Sequence, residues 1–492
     1  MIVSRDGVFK RILWLTLFWG LAAPGLAANL PPAVAKALRD TGIPQSSVGL
    51  VVQELGTPRA RLAHNAGAAM NPASVMKLLT TYAALEMLGP AYRWKTEAYL
   101  DGPLRDGVLE GNLALKGHGD PKLNYESFWM LLRALRGRGL AEIRGDVLVD
   151  RSHFLAVADE PFDADTYRPY NVRPDALLVN FKALRITFLP DYERGTVRLV
   201  VEPMLPGLEV VNSLKLSAGS CPEGRAFRDL IQASFQPRPP RAAFTGLYPA
   251  ACEERELNVA LHQPEDYLTG LVRGLWREMG GAWSGSAVER TVPPGARLFY
   301  THESEPLSEM VRDINKYSNN VMARQLYLTL AAELGGAPAR ADNARHYIRQ
   351  WLTAKKIAAP EIVIENGSGL SRQERLSAAS AAALLQAAWA SPVMPEFVSS
   401  LPVVAADGTM RKRMRADGIA GRAHIKTGLL HDARSIAGYV LDRSGRRQIV
   451  VMFINHPRAP QAEAAFDALL SWTYQDLNPT KGRQREPSPQ RP

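Results

Sequence analysis

The chain has 492 residues, of which 46% are hydrophobic and 22% charged. That describes a folded protein long enough for two or three domains and excludes a disordered one. Its formal net charge of +10 comes without zinc-finger spacing, an RNA-recognition signature or a basic zipper, so no nucleic-acid partner is implied. The charge suits an anionic surface such as cell wall and leaves peripheral membrane association open, although a solvated arginine-rich surface gives the same balance.

The N-terminus reads as a targeting segment. Arg5, Lys10 and Arg11 precede the apolar run "ILWLTLFWGLAA", and the small residues of "PGLAAN" follow. This is the pattern of an export signal over residues 1–27, removed near Ala27 or Ala28. A retained anchor is the alternative, but the run is short for a membrane span and ends at Pro24-Gly25.

After it, "PPAVAKALRD" predicts a short helix, and "SSVGLVVQEL" and "ARLAHNA" predict two strands around the turn "GTP". The stretch "NPASVMKLL" then opens a helix that continues through "TTYAALEMLGP". It sets Ser74 and Lys77 three residues apart, on one helical face, with Cβ atoms roughly 5–6 Å apart. Alone, Ser-x-x-Lys is a weak motif, because both residues are ordinary at a helix start.

From about Tyr92 the pattern changes to alternating runs broken by Gly, Asp and Pro, with "QPRPPRAAF" reading as a Pro-rich connection within it. This β-rich region extends to about Gly295 and holds both cysteines, Cys221 and Cys252. In an exported chain such a pair is expected to form one disulfide, against the alternative of two separate buried thiols. Neither belongs to a Cys-x-x-Cys pair, which argues against thiol redox work or a cysteine zinc site. His118 and Asp120 in "GHGDP" read as a turn and not as metal ligands, and no His-Glu-x-x-His pair occurs, so no metal and no cofactor are expected.

Helical periodicity returns with "SEPLSEMVRDINKY" and "NNVMARQLYLTLAAELG", which flank a break at Ser318. "ADNARHYIRQWLTAKKI" and "SAASAAALLQAAWASP" follow. "AHIKTGLL" predicts a strand, "DRSGRR" a hairpin turn between two more, and "QAEAAFDALLSWTYQDL" a closing helix. Two N-terminal strands cannot make a stable sheet alone, so the C-terminal strands should complete it. The expected organisation is one catalytic domain from residues 28–90 plus 296–477, a β-rich insertion over 91–295, and a basic, Pro-rich tail over 478–492.

Three short motifs stand in order along this plan: Ser74-x-x-Lys77, Ser318-Asn319-Asn320 between two helices, and Lys426-Thr427-Gly428 on a strand. Ser-x-x-Lys, Ser-x-Asn and Lys-Thr-Gly in that order occur in serine β-lactamases and penicillin-binding proteins. The segments "GHGDPKL", "GDVLVDRSHF", "PYNVRPDALLVNF", "ENGSGLSR" and "ADGTMRKR" extend the likeness from about Asn29 to Leu477. On these residues the chain resembles the D-alanyl-D-alanine carboxypeptidase/endopeptidases, the class C low-molecular-mass penicillin-binding proteins. The resemblance implies an α+β catalytic domain, an antiparallel sheet flanked by helices, with the extra domains inserted between the first and second motifs.

It also implies a periplasmic serine D,D-peptidase acting on peptidoglycan stem peptides and acylated by β-lactams. Ser74 would be the nucleophile, and Lys77 a general base whose ammonium form is disfavoured by burial and by Lys426. Ser318 would relay a proton to the leaving amine while Asn320 holds Lys77 and the substrate amide. Lys426 and Thr427 would grip the terminal carboxylate, Gly428 would allow close approach, and the backbone N–H groups of Ser74 and Leu429 would form the oxyanion hole. Leu429 departs from the family pattern, which usually has Thr there.

Two competing readings use the same residues. A β-lactamase needs a water-activating glutamate, and "ERELN" (Glu254 to Asn258) has the right spacing, but it precedes Ser318 and runs into a strand pattern. A catalytically silent wall-binding scaffold is contradicted by three intact motifs. Oligomeric state is not legible.

Overall fold

The computed structural model describes residues 29–155 and 161–475; the expected export signal over 1–27 and the expected basic tail over 478–492 lie outside the described residues. A five-stranded antiparallel sheet joins the two ends of the chain, in the order Leu62–His64, Val48–Glu54, Arg447–Asn455, Ala433–Leu441, Ala423–Leu429. The strand Arg447–Asn455 shows why both faces are covered. Ile449, Val451 and Phe453 enter one apolar core, while Val450, Met452 and Ile454 enter another. Successive side chains of a strand point to opposite faces, so a continuous apolar run needs a layer of helices on each side. Pro32–Asp40 and Glu463–Tyr474 cover one face. Met76–Leu88, Leu307–Lys316, Asn320–Gly335 and Ala378–Trp389 build the layer on the other.

Between these halves the chain forms further sheets around a separate core. The largest are a five-stranded sheet through Leu184–Asp191 and Thr196–Glu202, and another through Asn112–Gly117 and Lys95–Asp101. Three features differ from the sequence expectation. First, the region also carries two long helices, Tyr125–Gly137 and Pro264–Glu278. Phe128, Leu131, Leu132 and Leu135 supply the helical apolar stripe of the first, and Asn124 caps it by accepting the Ser127 N–H at 2.9 Å.

Second, "QPRPPRAAF" is not a connection but a hairpin. Ser234–Pro237 pairs with Pro240–Phe244, and its prolines sit where the ladder closes, opposite one another at Pro237 and Pro240. Third, Arg297–Glu303, assigned to the catalytic half by a boundary at 295/296, pairs antiparallel with Lys95–Asp101 and so belongs to an inserted sheet.

Cys221 and Cys252 are joined by a disulfide in the inserted region, 31 positions apart in sequence. Closing a loop of that length removes unfolded-state entropy worth about 3.7 kcal/mol. The double variant Cys221→Ser/Cys252→Ser is therefore expected to lose stability of that order in a urea titration. It should still label with penicillin when folded, because the cross-link touches none of the residues gathered around Ser74. A folded double variant unable to label would contradict that separation.

Candidate active site

Ser74 lies on a clamped turn. Asn455, at the end of its strand, accepts the Asn71 N–H (2.7 Å) and donates its own amide to the Asn71 carbonyl (3.0 Å). Asn71 Oδ1 in turn accepts the Ala73 N–H at 2.9 Å, and the Ser435 hydroxyl donates to the Pro72 carbonyl at 2.6 Å. Ala73 is held at φ 45°, a left-handed conformation that a non-glycine residue keeps only where its surroundings over-determine it. Ser74 belongs to the 3₁₀ turn Ala73–Val75, which runs on into the helix Met76–Leu88. That helix is apolar on nearly every side and buried from Met76 to Leu85, so it carries Lys77 into the interior at 0% exposure.

Lys77 Nζ meets three oxygens: Ser74 Oγ at 2.9 Å, Asn320 Oδ1 at 2.5 Å and the Ser368 carbonyl at 2.5 Å. Burial lowers its pKa well below the ordinary lysine value, the Lys426 charge lowers it further, and Glu374 opposes them. Lys426 is equally buried, which brings its pKa down to about 7. Its Nζ donates to Ser318 Oγ (2.8 Å) and to the Thr427 carbonyl (2.7 Å). Ser318 sits between the helices Leu307–Lys316 and Asn320–Gly335 at φ 56°, the second strained residue of the site. Asn319 caps the later helix by accepting the Met322 N–H at 3.0 Å, which points Asn320 inward from the first helical turn.

The strand Ala423–Leu429 is the edge of the central sheet. Leu441 donates to Arg422 and Leu430 to Ala433 across it, in register with the pair Leu429 and Arg434. Because ladder bonds alternate along an antiparallel pair, Leu429 occupies a position whose N–H points away from its neighbour strand. Gly428 brings this edge against Ser74. A Cβ at residue 428 would lie 2.8 Å from the Ser74 nitrogen and 2.2 Å from Ser435 Oγ. The glycine's close approach is thus to the Ser74 amide itself.

Some neighbours carried no readable signal in sequence. Thr409, within the quoted "ADGTMRKR", stands 2.8 Å from Thr427, hydroxyl to hydroxyl. Its loop is tied by Lys316, which donates to Asp407 Oδ2 (2.6 Å) and to the Leu401 carbonyl (2.7 Å). Glu374 and Ser368 belong to the loop that "ENGSGLSR" begins, and only packing shows that this loop reaches Lys77. His118 contacts Glu97 at 3.0 Å and Asp120 accepts the Lys122 N–H, both outside this cluster. Glu254 and the strand Arg255–Val259 belong to the inserted region, the strand paired with Leu184–Asp191 and away from Ser74.

A serine bonded to a buried lysine of lowered pKa, beside a second Ser–Lys pair and a strand edge with outward amides, defines an active-serine acyl-transfer enzyme. The D-Ala-D-Ala carboxypeptidase 3 (S13) family matches residues 30–475, and the chain belongs to that family of serine-type peptidases. It is 26% identical over 448 residues to a D-alanyl-D-alanine carboxypeptidase of Actinomadura sp. (strain R39), covering 88% of this chain and 82% of the relative. It is 22% identical to the D-alanyl-D-alanine carboxypeptidase DacB of Haemophilus influenzae, covering 83% of this chain and 85% of that one. The crystal structure of penicillin binding protein 4 (dacB) from Haemophilus influenzae shares the fold, with a TM-score of 0.71 at 21% identity over 89% of this chain and 99% of that chain. The α+β, penicillin-binding-protein fold expected from the motifs is the one observed.

Proposed function

We propose that this chain hydrolyses the D-Ala-D-Ala bond at the ends of peptidoglycan stem peptides and the D-alanyl bond of their cross-links, through an ester on Ser74. The observation that carries the reading is the 2.9 Å contact between Ser74 Oγ and a fully buried Lys77. A neutral amine has two N–H bonds and one lone pair. Asn320 Oδ1 and the Ser368 carbonyl take the two hydrogens, which leaves the lone pair facing the Ser74 hydroxyl.

Ser74 Oγ attacks the carbonyl carbon of the penultimate D-alanine and its proton passes to Lys77. The Ser74 and Leu429 N–H groups take the negative charge that develops on the carbonyl oxygen. The C–N bond then breaks. Ser318, which accepts from Lys426, gives its own hydrogen to the leaving amine, and the proton that Lys77 took replaces it, so Ser318 is again a hydroxyl and Lys77 again neutral. Water then attacks the ester carbon, neutral Lys77 takes its proton, and as the Ser74 Oγ–C bond breaks Lys77 returns that proton to Ser74 Oγ. Thr427, with Lys426 behind it, receives the substrate carboxylate. A β-lactam enters the same steps and stalls at the ester.

The pattern of the first 27 residues supports export to the periplasm, and no helix among the described residues is long and apolar enough to cross a membrane. The test is digestion of purified cross-linked peptidoglycan with the mature protein, followed by identification of the muropeptides. Free D-alanine and conversion of cross-linked dimers to monomers are expected, and sacculi left unchanged by a protein that labels with penicillin would overturn the substrate assignment.

A further inference from the structure

The floor of the site is a loop from Glu365 to Gly369. Its Ser368 carbonyl accepts from Lys77, its Gly367 carbonyl accepts from Thr80 at 2.6 Å, and Gly369 lies so close to the Ser74 turn that a Cβ there would be 1.9 Å from the Ala73 carbonyl oxygen. Gly367 and Gly369 have φ of 71° and 79°, so the loop owes its shape to glycine and to whatever anchors it. The anchor is Glu374. This side chain is 0% exposed, and its Oε1 accepts three consecutive backbone N–H groups, from Glu365 (3.1 Å), Asn366 (3.0 Å) and Gly367 (2.9 Å).

We propose that Glu374 is a positioning residue for acylation: its carboxylate holds the loop that presents the Ser368 carbonyl to Lys77, and its negative charge sets the pH at which Lys77 becomes a base. The inference rests on the reading of Lys77 as the base of Ser74. The geometry serves both parts. Burial raises the Glu374 pKa above the ordinary carboxylate value, and the three converging N–H groups oppose that rise by favouring the ionised form. The groups facing Lys77 are Ser74 from its own turn, Asn320 from the helix Asn320–Gly335, Lys426 from the edge strand, and the Ser368 carbonyl with Glu374 from the loop. Glu374 is itself coupled to Arg324 and Tyr327 on the helix Asn320–Gly335. Of the charges acting on Lys77, Lys426 disfavours the ammonium and Glu374 favours it.

The two parts separate by substitution. Glu374→Gln keeps an oxygen for the loop amides and removes the charge, so the lysine loses its proton more easily. Penicillin acylation measured from pH 5 to 9 should show the acid limb moved down by about one pH unit, which makes the variant about tenfold faster than the parent on that limb. Glu374→Asp keeps the charge on a shorter arm. Its limb should stay in place while acylation slows by roughly tenfold or more at every pH, the effect of a misplaced base.

A purely architectural glutamate would lower rates in both variants and move neither limb. Superimposable pH profiles for parent and Glu374→Gln would therefore overturn the proposal. If the Gln variant does not fold by circular dichroism, an Asp variant whose limb also moves down would overturn it. A parent protein that penicillin does not acylate would overturn the Ser74–Lys77 reading itself, a separate result.

Discussion

Ser74→Ala is expected to abolish the covalent penicillin adduct completely, while the parent protein gains one adduct per chain by intact mass. The test has a specific rival inside the same cleft. Ser318 also faces a buried lysine, with Lys426 Nζ at 2.8 Å, nearly the separation found between Lys77 and Ser74. Distance alone does not choose between the two hydroxyls. What distinguishes Ser74 is the proposed oxyanion site: its own amide lies against Gly428, whose neighbour Leu429 has an outward N–H. In the mechanism proposed above, its lysine also spends both N–H bonds of the neutral form on Asn320 and Ser368, which turns the lone pair to Ser74. Lys426 instead shares its hydrogens between Ser318 and the Thr427 carbonyl, the arrangement of a donor. Peptide mapping of the parent adduct completes the experiment. An adduct that persists in Ser74→Ala, or that maps to Ser318, would reverse the roles of the two pairs.

The second large effect is expected at Leu429. Leu429→Pro should slow penicillin acylation by roughly 10² or more, the scale of losing one oxyanion donor, whereas Leu429→Thr should stay within about tenfold of the parent. The side chain of Leu429 is 58% exposed, so restoring the hydroxyl usual in the family disturbs no packing. Proline removes the N–H and fixes φ at about −65°. Because Leu429 ends an edge strand and its N–H points away from the ladder, that group is not needed to pair the sheet, and proline is tolerated at such positions. The Pro variant should therefore fold, as circular dichroism would show. Stopped-flow acylation then reads the chemistry apart from stability. A folded Leu429→Pro protein that acylates at the parental rate would remove this amide from the oxyanion hole.

Local patterns made a definite part of this protein legible. Ser74 and Lys77 are three residues apart on one helical face, and helical spacing alone brings them together. The central strands and most helices of the catalytic half announce themselves by apolar runs, turn residues and period. The helices Tyr125–Gly137 and Pro264–Glu278 carry equally plain stripes and were obscured by the strand-like runs around them. The hairpin at Pro237 and Pro240 was hidden because proline is read as a breaker, and its tolerance at a closing pair depends on the partner strand.

The rest of the site came from tertiary packing. Asn320 reaches Lys77 across 243 positions and Ser318 reaches Lys426 across 108, distances over which no periodicity carries information. The order of three motifs placed these residues in one site only through their resemblance to a family. Nothing in the sequence around Glu374 distinguishes it from a solvated glutamate; the loop amides that converge on it and the lysine above it exist only in the folded chain. The depressed lysines follow the same logic. A side chain's composition sets its ordinary pKa, but burial and neighbouring charge move it, and both are properties of packing and not of spacing along the chain.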